Sequence, residues 1–397
     1  MLGAGVGGLA VAILLARQGW RVDVFEASPE LRAQGSGFVL QPGGQAVLEG
    51  LSLWAAIGAR GSVVERITGV DVADGRVAID LRVDPARLRG VAVERGGVIA
   101  DLAQAARAAG VSIRLGKRAV GWTSGHIQWD DGVQEGPWNA CVDATGAGGG
   151  LSPIQAPLLP YGAFWATVPW VDGVEGVAAR QLTQRYRTTT KMAGLLPLGL
   201  DEKGRRVGAF FWSVRLADVD AVRAADFETW RGECLGLWPQ TEAFIRPLQG
   251  WGDLRLARYS HGRLAAPHAP GLARLGDSAH RSSPQLGQGA NMALLDAWAL
   301  AEAVRVMPTW DAAAERMRRA RAFHTWVYHH LSGVFTPQYQ SDRESLAFWR
   351  NRVFAPLGRL PLGPWALTRL SAGVLVPAIL GLPKPPKPAA IPHQTVA

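Results

Sequence analysis

Residues 3–8 read Gly-Ala-Gly-Val-Gly-Gly and stand directly before a run of small and apolar residues at positions 9–18. Gly19 ends that run, and residues 21–26, Arg-Val-Asp-Val-Phe-Glu, then alternate and carry β-branched and aromatic side chains. A glycine-rich loop, a helix and a strand in this order are typical of the first unit of a doubly wound domain. We therefore expect an α/β fold.

The same loop predicts a ligand. Gly3, Gly5 and Gly8 fit the spacing G-x-G-x-x-G, which allows a tight turn, a close backbone approach to a pyrophosphate and close helix packing. The N–H groups and the positive dipole end of the helix favour phosphate there. Glu26 follows Gly3 by 23 residues, where a carboxylate accepts hydrogen bonds from a ribose. These residues predict a dinucleotide site, and the simpler alternative is a glycine-rich turn with an incidental glutamate.

Only Met1 and Leu2 precede the loop. The strand in front of such a loop normally has about five or six residues and lies in the middle of the sheet. We therefore expect the native chain to begin upstream of Met1, with a few more apolar residues.

The composition narrows the possible partners. The 397 residues carry 42 basic and 33 acidic side chains, a net charge of +9, and 48% hydrophobic residues, which excludes a disordered chain. The arginines are spread, with the densest group at 316–321 on a predicted helix, so we expect no nucleic-acid partner. Two cysteines cannot build a disulfide framework, and no stretch reaches the roughly 20 apolar residues of a spanning helix. We expect a cytoplasmic protein.

The pattern changes after residue 150. Strand-like segments at 164–169, 181–187, 192–198 and 207–214 indicate an antiparallel sheet. A buried strand at 272–275 and helices at 288–304 and 311–334 then return to the first pattern. We predict a discontinuous Rossmann-like domain (1–150 and 262–335), an inserted antiparallel-sheet substrate domain (151–261), and a C-terminal helical cap with a proline-rich tail (336–397).

Two smaller expectations concern the end of the chain. On the long helix, one face at three-to-four spacing is apolar and is predicted to pack; it consists of Phe323, Trp326, Val327, His330, Leu331 and Val334. The proline-rich residues 384–388 predict disorder.

The most informative stretch is residues 275–297, Leu-Gly-Asp-Ser-Ala-His-Arg-Ser-Ser-Pro-Gln-Leu-Gly-Gln-Gly-Ala-Asn-Met-Ala-Leu-Leu-Asp-Ala. Asp277 follows a strand, where its carboxylate is placed to accept hydrogen bonds from a sugar-like chain. Pro284 and the glycines at 287 and 289 allow backbone to lie flat against a planar ring. The following helix directs its positive end at that ring and favours negative charge on it.

With these residues the chain resembles the FAD-dependent aromatic hydroxylases, the group A flavoprotein monooxygenases related to p-hydroxybenzoate hydroxylase. The resemblance covers about residues 2–334 and implies FAD as the cofactor of the first domain. It implies the following cofactor-binding residues: Gly3, Gly5, Gly8, Glu26, Arg32, Arg95, Gly276, Asp277, Pro284, Gly287, Gly289, Ala290 and Asn291.

The resemblance also implies a reaction. NADPH or NADH reduces the flavin, O₂ adds to its C4a carbon, and the C4a-peroxyflavin hydroxylates an aromatic or other electron-rich small molecule. No metal is required. His280 is a candidate catalytic residue, although a hydrogen bond that orders its loop is the favoured interpretation. Tryptophans in or beside the inserted sheet indicate core packing, or alternatively a pocket for a flat or apolar substrate; they are Trp165, Trp170, Trp212, Trp230, Trp238 and Trp251.

One motif departs from the family pattern. The family usually has Asp-Gly after a further strand, whereas this chain has Thr145-Gly146, with Asp143 two residues earlier. That motif is linked to FAD and NAD(P)H binding in the family. Two alternatives therefore stay open: an FAD-dependent oxidoreductase without oxygen insertion, such as a prenyl reductase, and a flavin-binding protein without turnover.

The apolar residues 370–382 are too few to span a membrane. We expect them to cap the flavin domain. The alternative is a dip into a membrane interface beside Arg352, Arg359 and Arg369, which would make the protein membrane-peripheral.

Overall fold

A computed structural model describes residues 1–31, 36–83, 88–358, 360 and 362–390. The α-helices are α1 (Val6–Arg17), α2 (Pro42–Gly50), α3 (Trp54–Arg60), α4 (Arg95–Ala108), α5 (Val219–Ala224), α6 (Phe227–Leu237), α7 (Glu242–Ile245), α8 (Gly289–Val306), α9 (Trp310–Phe335), α10 (Ser345–Trp349), α11 (Ala355–Leu357) and α12 (Gly363–Ser371). A π-helical segment, Arg350–Phe354, joins α10 and α11 into one continuous helical arm.

The strands fall into two groups along the chain. The first group is β1 (Asp23–Phe25), β2 (Gly37–Leu40), β3 (Ser62–Val64), β4 (Arg66–Asp71), β5 (Arg76–Arg82), β6 (Gly90–Glu94), β7 (Ser112–Arg114), β8 (Ala119–Thr123), β9 (His126–Trp129), β10 (Gln134–Glu135) and β11 (Cys141–Asp143). The second group is β12 (Tyr161–Pro169), β13 (Gln181–Arg187), β14 (Lys191–Leu200), β15 (Arg206–Arg215), β16 (Arg255–Ala257), β17 (Gly262–Arg263), β18 (His268–Ala269), β19 (Leu272–Arg274) and β20 (His280–Arg281).

The nucleotide-binding half is built on a parallel sheet. β1 pairs with β7, and β11 pairs with β19, both in parallel. Leu2 lies between the two pairs, bridging Phe25 on one side and Asp143 on the other. Helices α1, α4 and α8 bury their apolar side chains in one core with this sheet. The predicted Rossmann-like α/β fold is confirmed.

The second layer is a seven-stranded sheet in the order β16-β12-β15-β14-β13-β4-β5. The pairings among β12, β13, β14, β15 and β16 are antiparallel, as the strand pattern predicted. The last two strands, β4 and β5, come from residues 66–82, which the sequence assigned to the first domain. β4 joins β13 in parallel and so pairs an edge that would otherwise expose its backbone groups. The sheet therefore draws on residues outside 151–261.

A separate hydrophobic core packs against each face of this sheet. On one face, α5, α6 and α7 cover a core that contains Trp212, Trp230 and Trp238, in agreement with the packing interpretation. Trp165 lies on the opposite face, with its ring centroid 4.7 Å from that of Phe211. That face meets the nucleotide-binding half, since Val64, Ala92 and the sheet share a core there.

The predicted apolar face of α9 is wrong for most of its members, although Val327 and Leu331 do pack against a small core. Phe323 and Trp326 are each 47% exposed and Val334 is 61% exposed. The helix instead buries small side chains, among them Ala313, Ala314 and Ala320. Small residues let two helices approach closely, and α9 packs against the equally alanine-rich α8.

The prediction of disorder at 384–388 is also wrong. The tail runs along the nucleotide-binding half, and two indole N–H groups hold it: Trp298 donates to the Pro383 carbonyl and Trp54 donates to that of Ala389, each at 3.0 Å. Proline costs little in an extended tail, because its missing N–H is not needed there. Within the described residues no helix is long and apolar enough to cross a membrane.

A buried ion pair fastens the C-terminal helices to the sheet. The Arg350 guanidinium donates to the Asp71 carboxylate at 2.6 Å, and both side chains are at most 2% exposed. Arg350 also donates to the carbonyls of Thr188 and Gln338, and its guanidinium stacks on the Tyr186 ring. The pair therefore joins β4, the turn after β13 and the helical arm.

Replacing Arg350 with methionine should lower the free energy of unfolding by about 3–5 kcal/mol, because the Asp71 carboxylate stays buried without its counter-charge. Arg66→Met is the matched control: it removes the pair with Asp80, whose side chains are 38% and 34% exposed, and should cost at most about 1 kcal/mol. Chemical unfolding midpoints measure both. Equal losses would contradict the anchoring role of Arg350.

Candidate cofactor site

The glycine loop has the geometry that a pyrophosphate requires. Gly3 has φ +99°, and a Cβ there would lie 2.5 Å from the Ala144 carbonyl oxygen. A Cβ on Gly8 would lie 2.1 Å from the Gly3 oxygen, so α1 can approach the loop only because Gly8 has no side chain. At Gly5, the N-cap of α1, an added Cβ would meet no atom of the described chain within 4 Å. The loop is thus closely packed at Gly3 and Gly8 and open at Gly5, where α1 begins.

Glu26 lies beside this opening. Its carboxylate accepts from the backbone N–H of Ala4 at 2.8 Å and from that of Ser28 at 2.9 Å. The first bond ties the end of β1 to the glycine loop across 22 residues of sequence. Each carboxylate oxygen retains further acceptor capacity, which suits a pair of ribose hydroxyls.

Asp277 and Arg95 come together from distant parts of the chain. Asp277 follows β19, and Arg95 begins α4, which Glu94 caps by accepting from the N–H groups of Gly96 and Gly97. Asp277 is exposed to solvent, although neighbouring protein atoms partly desolvate its carboxylate. The surrounding protein raises the pKa of Asp277, while the positive charges of His280, Arg95 and Arg281 oppose the rise. Burial likewise lowers the pKa of Arg95, and the Asp277 charge opposes that change.

The loop from Gly276 to Gly289 turns twice through left-handed backbone, at Gly276 (φ +56°) and Gly287 (φ +62°). Pro284 starts a single helical turn between them, and α8 begins at Gly289. A Cβ on Gly287 or Gly289 would meet no atom of the described chain within 4 Å. The start of this 18-residue helix therefore presents open backbone, as expected for contact with a flat ring.

A buried carboxylate holds that loop in place. Asp296 accepts from the N–H of Gly276 at 3.0 Å, from His280 Nε2 at 2.6 Å and from Arg321 Nε at 2.7 Å. Despite its burial, the pKa of Asp296 is well below its usual value, because His280 and Arg321 stabilise its charge. His280 is thus fixed by Asp296, and this contact supports the loop-ordering interpretation over a catalytic one.

Asn291 ties the loop to the other side of the site. Its side-chain oxygen accepts from the N–H of Gln41, and its amide nitrogen donates to the carbonyls of Val39 and Gly287. The side chain is 1% exposed. Its role in the described contacts is to join β2 to α8, and its backbone, with that of Ala290, lies in the first turn of α8.

Further hydrogen bonds connect Asp296 to the end of the chain. Arg321 donates to the Ala378 carbonyl as well, and it contacts His324 Nδ1 at 3.3 Å. His324 Nε2 donates to the Gly373 carbonyl at 3.1 Å, and the Gln288 side-chain amide donates to the Ser371 carbonyl at 2.7 Å. Residues 371–378 therefore lie across the back of the loop from Gly276 to Gly289, which is expected to face the flavin and is called the flavin loop below.

The altered third motif has a structural role. The Asp143 carboxylate is fully buried and accepts from both the hydroxyl of Thr145 at 2.6 Å and its N–H at 3.0 Å. The Arg274 guanidinium lies 3.8 Å from the other carboxylate oxygen. Burial raises the pKa of Asp143, and these partners oppose the rise. Asp143 shapes the turn after β11 and faces inward.

Most of the predicted cofactor residues therefore line two neighbouring regions. The glycine loop with Glu26 forms one, and Arg95 with Asp277 and the loop to Asn291 forms the other. Arg32 lies outside the described residues. Sequence reasoning missed Arg321, His324 and Gln288, whose roles depend on contacts with residues 371–378. Their helical spacing gave no signal, because a buried arginine or histidine resembles a surface one until its partner is known.

The residues present fit an FAD molecule. The open face at Gly5 suits its pyrophosphate, Glu26 its adenosine ribose, and Asp277 with Arg95 its polar linking chain. The open backbone at Gly287 and Gly289 suits its ring system. The fit rests on these openings and charges of the described residues.

Comparisons with known proteins agree with this geometry. The family model of an FAD binding domain matches residues 1–135. A 2-heptyl-3-hydroxy-4(1H)-quinolone synthase of Mycobacteroides abscessus is 26% identical over 325 residues, covering 77% of this chain and 80% of that protein.

Solved structures share the fold. A 2-methyl-3-hydroxypyridine-5-carboxylic acid oxygenase has a TM-score of 0.75 at 20% identity, covering 94% of this chain and 95% of that chain. HpxO of Klebsiella pneumoniae, in complex with FAD and uric acid, has a TM-score of 0.76 at 19% identity, with the same two coverages, 94% and 95%. The predicted resemblance to the FAD-dependent aromatic hydroxylases is confirmed.

Substitution of Gly5 or Gly8 by alanine should distinguish an effect on FAD binding from an effect on protein stability. Gly5→Ala should leave the melting temperature of the apoprotein unchanged, because the new methyl group meets open space. It should weaken FAD binding at least about tenfold, about 1.4 kcal/mol, by blocking the pyrophosphate. Gly8→Ala should destabilise the apoprotein itself. Fluorescence titration with FAD and thermal melts measure both effects, and unchanged FAD affinity in Gly5→Ala would refute the assignment of the loop.

The His324 contacts predict an acid-sensitive stability. Burial and the Arg321 charge lower the pKa of His324 to about 3, from an ordinary 6.5. Between these values the unfolded chain binds a proton that the folded chain does not. Stability should therefore fall as the pH falls through that window, by up to about 1.4 kcal/mol per pH unit from this group. In His324→Gln this part of the slope should vanish. Parallel urea-midpoint curves for the two proteins between pH 7 and pH 4 would contradict it.

Proposed function

We infer that this chain is a member of the FAD-dependent aromatic hydroxylases and works as a monooxygenase that hydroxylates an aromatic or other electron-rich small molecule. The observation that carries the inference is the pairing of two distant motifs in one site. The glycine loop with Glu26 provides an adenosine end, and Asp277, Arg95 and the loop held by Asp296 provide a flavin end.

The chain's own residues would bind FAD and orient its ring system. Open backbone at Gly5 would bind the pyrophosphate, and Asp277 would accept hydrogen bonds from the chain that leads to the ring. The start of α8 directs its positive end at the ring, which favours negative charge there. When bound, FAD supplies the redox chemistry: it accepts hydride and activates O₂.

We propose NADPH or NADH as the reductant. The proposal rests on the hydroxylase fold alone, since Asp143, the carboxylate nearest the altered third motif, is buried against Thr145. If the altered motif abolishes this step, the protein is instead an FAD-dependent oxidoreductase that acts without oxygen insertion.

The face of the large sheet that meets the nucleotide-binding half is the proposed substrate wall. The Trp165 indole N–H donates to the Tyr259 hydroxyl at 3.0 Å, and Trp165 also packs on Phe211. Burial raises the pKa of Tyr259 to about 12, so its hydroxyl keeps its proton at neutral pH. Three residues later, Gly262 pairs with Arg281, at the flavin loop. The wall thus combines flat apolar surface with a neutral hydroxyl group.

This chemistry fits a flat heteroaromatic substrate. The compounds associated with three similar proteins belong to this class: one protein is named for a quinolone, one for a hydroxypyridine carboxylic acid, and one was solved with uric acid. All three are nitrogen heterocycles. We therefore propose a nitrogen-containing aromatic ring as the substrate class.

A panel of 4-quinolones, hydroxypyridines and urate tests the function. With the correct substrate, NAD(P)H oxidation should accelerate at least about tenfold, consume O₂ and yield a product heavier by one oxygen atom. Tyr259→Phe should keep its FAD content but lose about tenfold in substrate-stimulated rate, because one hydrogen bond is lost.

The outcomes separate the alternatives. Substrate turnover without O₂ would contradict the monooxygenase and favour the oxidoreductase. A protein that binds FAD but oxidises no NAD(P)H with any compound would favour a flavin-binding protein without turnover. Unchanged kinetics in Tyr259→Phe would refute the proposed wall while leaving the reaction intact.

A further inference from the structure

A helical hairpin packs against the edge of the seven-stranded sheet. Its first arm runs from α10 to α11 and its second arm is α12; β5 contacts α11, the π-helical segment and α12. The arms meet closely at the turn, where a Cβ on Gly363 would lie 2.4 Å from the Gly358 carbonyl oxygen. The buried Arg350–Asp71 pair holds the first arm, so the turn is presented from a fixed base.

Five large apolar side chains surround this turn and are exposed. We call them the apolar tip: Phe354 (49% exposed), Leu357 (52%), Leu360 (56%), Leu362 (78%) and Trp365 (57%). Single exposed apolar residues are ordinary, but five within 12 residues of sequence form a patch of the kind that marks an interaction site. The sheet and the hairpin's own core leave these side chains uncovered in the described chain.

The charged residues of the hairpin itself have one sign. From residue 345 to the end of the chain the sequence contains no aspartate or glutamate. Arg352 and Arg369 flank the tip, with their guanidinium groups 5.0 Å from the Phe348 ring centroid and 5.1 Å from that of Trp365. A second copy of the chain, docked tip to tip, would bring these arginines against each other. An anionic surface would instead complement them.

Aromatic and aliphatic side chains flanked by arginine are the chemistry of the bilayer interface. Leucine and phenylalanine enter the acyl boundary, tryptophan remains at the headgroup level, and arginine reaches the lipid phosphates. We propose that the apolar tip docks on an anionic lipid surface, with Arg352 and Arg369 at its phosphates. This site lies before residues 370–382, the segment that the alternative interpretation of the sequence placed at a membrane. Leu370, Leu375 and Val376 share a core with Leu286, Met292 and Tyr328 instead. The inference is independent of the proposed reaction.

Vesicle sedimentation of the full-length FAD-loaded protein tests the proposal. The protein should sediment with vesicles of phosphatidylcholine and phosphatidylglycerol and much less with phosphatidylcholine alone. Binding should weaken as salt is raised, because screening reduces the arginine contribution. The triple variant Leu357→Ser/Leu360→Ser/Leu362→Ser should bind at least about tenfold more weakly.

Two matched controls isolate the tip. Val120→Ser/Val133→Ser/Leu158→Ser removes side chains of similar exposure elsewhere (48%, 55% and 56%) and should bind vesicles like the unaltered protein. Arg352→Gln/Arg369→Gln should reduce binding to anionic vesicles, whereas Arg118→Gln, at an exposed pair with Asp130, should not. FAD content and circular dichroism confirm that each variant is folded.

Three results would overturn the proposal. The first is no sedimentation of the unaltered protein with anionic vesicles. The second is equal binding of the tip variant and its control. The third is a dimer in light scattering without lipid that the tip variant abolishes, which would assign the tip to contact between copies of the chain.

Discussion

The arrangement of the site depends on one buried carboxylate. Asp296 accepts hydrogen bonds from the Gly276 N–H, from His280 and from Arg321, and these three partners lie on the flavin loop and on α9. A buried carboxylate is stable only when its charge is matched in this way. Because Asp296 is ionised, it fixes the loop between β19 and α8 at the carboxyl end of the parallel sheet, which is where ligands bind in open α/β folds.

The C-terminal third of the chain reinforces this constraint from behind. Residues 371–378 accept from Gln288, Arg321 and His324 and so lie against the loop that Asp296 orders. Farther back, Arg350 fastens the helical arm to β4. The end of the chain thus links the flavin loop to the large sheet. Trp165 of the proposed substrate wall belongs to that same sheet, and Tyr259 follows its strand β16 by two residues. The residues proposed to bind and orient the ligand and the C-terminal helical hairpin are therefore parts of one connected scaffold.

Local patterns predicted much of this structure, and long-range contacts account for the rest. The glycine loop, α1 and β1 follow from spacing, and β13 has the predicted bounds, Gln181–Arg187, because a strand-like run between turns is a local signal. The pairing of β4 with β13 joins segments more than a hundred residues apart, which no local pattern specifies. The buried face of α9 was misjudged because its alanines pack more closely than its larger residues could.

We propose that the two distant motifs form one extended dinucleotide site. Titration of the apoprotein with FAD, FMN and ADP compares the whole ligand with its two ends. Joining two binding ends in one molecule raises affinity well beyond either end alone. We predict that FAD binds at least about a hundredfold more tightly than FMN or ADP. Equal affinity for FAD and FMN would contradict the account, because the glycine loop and Glu26 would then contribute nothing to cofactor binding.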